Sequence, residues 1–154
     1  MFGMRIAGGV LAIATLAGAT ACAAEDQTAH ATTPPAAVAT EPPSETLNPL
    51  LQQALPNLAG KTFTSAVVDF PPGARADPHR HGEAFVYAYV LEGTVRSQLD
   101  GTPVSTYRQG ENWVEQPGAH HVVTENTSPT EQARLLVVFV SDTGDELKVA
   151  DPQP

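Results

Sequence analysis

From residue 61 to residue 141 the chain is divided into short apolar or alternating segments, each soon closed by Gly, Pro, Asn or Asp. Nothing in this stretch sustains a helical period, whereas alternation with period two places successive side chains on opposite faces of a sheet. Strands are expected at 62–70, 84–91, 94–99, 104–107, 112–115, 121–125 and 133–141. Asp100-Gly101 reads as a hairpin turn, because glycine accepts positive φ. Leu50, Leu51, Ala54, Leu55 and Leu58 recur at helical spacing, which predicts a short helix over 48–58 packed on the strands. The fold class is therefore all-β: a small sandwich or jelly-roll barrel whose core is feasible but not generous.

The first third of the 154 residues does not fit that pattern. Residues 1–21 join one positive charge, Arg5, to an apolar run and then to small residues, as a secretory signal peptide does. The run is short for a membrane span. Cys22, the single cysteine, stands at the cleavage point. Lipidation there would make the mature chain a membrane-anchored, periplasmic lipoprotein; cleavage after the small residues Ala19 and Ala21 would make it soluble. Either route exports the chain without an internal disulfide. Residues 22–45, rich in Pro, Thr and Ala, have too little apolar surface to repay ordering and read as a disordered tether, with His30 exposed in it. The single domain is then 46–154. Its seven Lys+Arg against thirteen Asp+Glu give −6, with no basic patch, which argues against nucleic-acid binding.

Four of the five histidines fall in two clusters, His79/His81 and His120/His121. Imidazoles at i and i+2 on an extended segment share a face, and a third from a distant strand would complete a set of neutral nitrogen donors. Such a set holds a divalent transition metal: iron, zinc, manganese, nickel or copper. His79, His81 and His121 are the expected ligands. Glu83 would join them if the strand carrying the first pair continued in extended form, although Gly82 makes a turn there equally plausible. His120 points the other way from His121 and is a candidate proton shuttle or substrate contact at the rim. Tyr87, with Phe85 and Tyr89, either packs one strand face or lines the pocket. Arg96 is a candidate anchor for a carboxylate if its face is internal, and a surface ion pair if it is not.

These motifs resemble those of the cupin superfamily. Its first motif has a glycine, H-x-H, a glutamate and a closing glycine, matched here by Gly73, His79, His81 and Gly93. Its second is matched by Gly110, the Pro117-Gly118 turn and His121. The resemblance covers 61–141 and implies a cupin jelly roll. Two departures stand out: the family's glutamate falls near Phe85 or Val86, and its asparagine position holds Glu125, with Asn126 next. A site lacking that carboxylate would keep the full charge of its metal. Within the family, three-histidine centres imply ferrous dioxygenases, which makes iron the preferred metal and a small organic anion the expected substrate. A non-catalytic periplasmic module that binds or senses a small ligand or metal, and a metal-dependent isomerase or lyase, remain open. Cupins commonly pair through edge strands, so a homodimer is also expected.

Overall fold

The computed structural model describes residues 41–152. The expected leader, Cys22, His30 and most of the tether lie outside the described residues. Eleven strands follow in order: β1 (Thr46–Ala54), β2 (Lys61–Phe70), β3 (Arg75–Ala76), β4 (His79–Arg80), β5 (Phe85–Glu92), β6 (Thr94–Leu99), β7 (Ser105–Arg108), β8 (Asn112–Glu115), β9 (His120–Glu125), β10 (Ala133–Asp142) and β11 (Val149–Ala150). One sheet runs β1-β2-β10-β5-β8; the other runs β11-β4-β9-β6-β7, with β3 also on β9. The assigned pairings in both sheets are antiparallel.

Alternation decides what faces inward. On β2, β10 and β5 the inner row includes Val68, Phe70, Leu135, Phe139, Val86 and Val90, all buried. Each such side chain contributes about 1.5–3 kcal/mol when removed from water. On β5 the intervening residues, among them Phe85, Tyr87 and Tyr89, lie on the outer face, half-buried or exposed. Asn126, just past β9, is buried; its amide donates to the carbonyls of Phe70, Pro71 and Glu131 and so pins the return into β10.

One expectation needs correction. The helix predicted over 48–58 is instead β1, an edge strand paired with β2 along its length. Leucines at helical spacing misled because every residue of β1 is exposed, so no core-facing stripe determines its conformation. The register shifts between Pro49 and Leu51, where proline has no N–H to offer the ladder. Ahead of β1, Arg75 donates its N–H to the Pro43 carbonyl, Ser44 bridges to Arg75, and Glu45 pairs with Lys148, so residues 43–45 pack on the domain.

Beyond β10 the chain turns back, pairs β11 with β4, and donates the Asp151 N–H to the Pro78 carbonyl. One end of the described segment thus lies against β3 and the other against β4, which carries His79.

Candidate metal centre

The site forms where the two sheets face each other. His79 on β4 and His121 on β9 are direct cross-strand partners, so their side chains leave the same face. His81 follows His79 by two residues and stays on that side; Gly82, with φ 56°, then starts a turn closed by a bond from the Ala84 N–H to the His81 carbonyl. The ring centroids of His79 and His81 are 4.8 Å apart, and those of His79 and His121 5.2 Å. One ring nitrogen from each of the three lies within 4.8 Å of the others.

Hydrogen bonds fix how these rings present themselves. The Nδ1–H of His79 donates to the Asp77 carbonyl at 2.7 Å, and that of His81 to the Leu147 carbonyl at 2.5 Å. A carbonyl can only accept, so Nε2 is the lone-pair nitrogen of both neutral rings. His121 directs Nδ1 to Glu115 Oε1 at 3.0 Å, while Nε2 meets the hydroxyls of Ser97 at 2.8 Å and Thr124 at 2.7 Å. A register shift opposite Gln98 and Leu99 turns both His121 and Thr124 inward although they are three residues apart.

Glu115 is the residue that sequence reasoning missed. It lies on β8 of the opposite sheet, 3 % exposed, with Oε2 3.6 Å from His81 Nε2. Trp113 donates its indole N–H to Oε1 at 3.1 Å, whereas Oε2 has no hydrogen-bond partner. Its register partner is Val86, one of the positions where the family pattern places a glutamate. A carboxylate from the neighbouring strand thus stands beside the imidazoles, although the group placed to hold an ion consists of the three histidines. Alternation in Asn-Trp-Val-Glu was the available signal, since it puts Trp113 and Glu115 on one face.

Charges follow from this enclosure. Burial pushes the His79 imidazole down to about 4, aided by His81, His121 and Lys148, against the pull of its bond to Asp77. Burial also lowers His81. For Glu115 burial acts upward, but its hydrogen bond to His121 and the charges of His121 and His81 outweigh it and hold the carboxyl below its usual range. At neutral pH His79 and His81 are uncharged donors beside a carboxylate. An uncompensated buried carboxylate oxygen facing imidazole lone pairs is the environment a cation would complete.

The other predicted residues stand elsewhere. Glu83 is exposed in the turn after His81, so the first motif does not run on extended as ligation by Glu83 requires. Tyr87 lies on the outer face of β5, opposite the inward Val86 and Ala88. Arg96 lies on the outer face of β6 and pairs with Glu125 at 3.3 Å. His120 faces away from His121 and bonds Asp151 through Nε2 at 2.7 Å. None of these four belongs to the three-histidine group.

A cavity of about 70 Å³ adjoins the rings. Its walls include Val68, Phe70, Leu135, Val137 and Phe139, with Glu45, Leu47 and Lys148 among the lining residues contributed by the two chain ends.

Comparison with known proteins agrees with this architecture. The Cupin domain family matches residues 66–139. Among solved structures, the cupin domain of Schizosaccharomyces pombe Cnp3 is 18 % identical, with 64 % of this chain covering 62 % of that one at a TM-score of 0.54. The DMSP lyase DddQ from Ruegeria pomeroyi DSS-3 is 22 % identical, with 57 % of this chain on 42 % of that one at 0.51. An oxalate oxidase in complex with glycolate is 26 % identical, with 57 % of this chain on 45 % of that one at 0.50. The chain thus spans less than two thirds of each of these structures. No curated protein matches it in sequence. Family match, two-sheet fold and three-histidine cluster agree that this chain belongs to the cupin superfamily as a metal-binding cupin.

Proposed function

We propose that the protein is an exported metalloenzyme in which His79, His81 and His121, with Glu115, hold a divalent transition metal for oxidation of a small organic anion. The observation that carries this reading is the unpartnered Oε2 of Glu115 beside imidazoles already oriented by carbonyl bonds. Three nitrogens and one carboxylate suit iron or manganese, and iron is kept as first choice. Such an ion supplies a Lewis-acidic centre with positions open to substrate and dioxygen.

The chain's own residues do the rest. The Asp77 and Leu147 carbonyls fix the tautomers of His79 and His81, so no ring must reorient to offer its lone pair. Ser97 and Thr124 hold the His121 ring from its far side. Glu115, steadied by Trp113, offsets one unit of cationic charge. The apolar walls limit water, which strengthens each polar contact inside. Support for an anionic substrate comes from the glycolate complex of the similar oxalate oxidase.

One observation favours non-catalytic binding instead: Tyr87, Arg96 and His120, the catalytic candidates read from the sequence, all face away from the metal donors. Elemental analysis of protein purified without tag or chelator, beside a His79→Ala/His121→Ala variant, decides the first point. Roughly one equivalent of metal, lost in the variant, is expected. Dioxygen uptake with small carboxylates then separates enzyme from binder; no metal retained or taken up by folded protein overturns both.

A further inference from the structure

The cavity beside the histidines has one cationic side chain in its lining, Lys148, and that residue is paired with Glu45. The two come from opposite ends of the described chain, Glu45 next to the Ser44 bridge to Arg75 on β3 and Lys148 just before β11, which pairs with β4. The Glu45 side chain is 13 % exposed and that of Lys148 31 %, so the glutamate is the more enclosed partner. Lys148 follows Leu147, whose carbonyl holds His81, which fixes the root of its side chain beside the ring. Arg96, the anchor expected from sequence, is committed to Glu125 on the outer face.

Resting on the metal-centre reading, we infer that Lys148 is the binding residue for the carboxylate of a small substrate, and that Glu45 occupies that position as an internal carboxylate until substrate displaces it. An ammonium facing an apolar-walled space attracts a carboxylate more strongly than one in open water, because little solvent competes. The walls set the rest of the ligand class. About 70 Å³ admits only a few non-hydrogen atoms, far below the volume of a drug-sized pocket. The substrate class is therefore a short-chain monocarboxylate whose body lies against Val137 and Phe139.

Trp113, the single tryptophan, lines the same cavity, so its fluorescence can report occupancy. Glycolate is titrated into wild type, Lys148→Met, Lys148→Arg and Glu45→Gln, each with and without metal, and metal content is measured separately by elemental analysis. Lys148→Met should weaken glycolate binding about tenfold, Lys148→Arg should retain most of it, and Glu45→Gln should tighten it several-fold, with metal content unchanged. Acetamide, uncharged and of similar size, should bind the four proteins alike. Unaltered glycolate affinity in Lys148→Met, no tightening in Glu45→Gln, or no glycolate binding by wild type in either state overturns the assignment. Failure of wild type to hold metal is read independently and counts against the metal centre instead. If Lys148→Met does not fold, the pair Lys148→Arg and Glu45→Gln still decides the matter.

Discussion

Glu115 shows how one side chain can change the chemistry read from a motif. The histidines were legible because H-x-H and a distant histidine carry their own spacing rule, but an acid on a separate strand has no fixed offset from them in sequence. Only the pairing of Val86 with Glu115 shows that the carboxylate stands across the ladder from the position where the family pattern seeks it. Glu115→Gln keeps shape and the acceptor for Trp113 but removes the charge. It should lower metal affinity about 10–100-fold, measured by chelator competition, with the melting temperature of the loaded protein falling and its far-ultraviolet circular dichroism preserved. Unchanged affinity would place Glu115 outside the coordination set.

Among elements, strands with a buried inner row were readable almost to the residue: β6 and β8 coincide with their predicted bounds, and β2, β5, β9 and β10 differ by a residue at one end or both. Alternation works there because burial of one face penalises any other register. It fails on β1, where no residue is buried, and on the two-residue strands β3, β4 and β11, too short to show a period. Joints between elements carry a different constraint. Gly93, between β5 and β6, has φ 73°, and a Cβ there would lie 2.5 Å from the Gln132 carbonyl oxygen. Gly101 has φ 75° but open space around it. Gly93→Ala should therefore cost about 2–4 kcal/mol in urea unfolding and Gly101→Ala about 1 kcal/mol, the difference arising from the backbone contact rather than from φ.

For the molecule as a whole, the buried imidazoles tie stability to acidity. In metal-free protein His79 titrates near 4 when folded and near 6.5 when unfolded, so the unfolded chain binds more protons between these values. Stability is then full above about pH 6.5 and falls as pH drops toward 4, by about 3 kcal/mol from His79 at most, with His81 acting in the same direction. Glu115, whose folded value is depressed below 4.5, adds a further loss as pH falls through that folded value. Urea midpoints measured from pH 7.5 to 4.5 should decline, and His79→Gln should flatten the slope; an unchanged slope would contradict the burial assigned to that ring.

The cross-sheet origin of the donors has a mechanical meaning. His79 and His121 belong to one layer and Glu115 to the other, with no peptide hydrogen bonding joining β4 or β9 to β8. A cation shared among them would rivet two layers otherwise joined by side-chain packing and connecting turns. Loading would then raise resistance to prying the layers apart, and pulling or proteolysis would become a gauge of how many molecules in a population carry their ion.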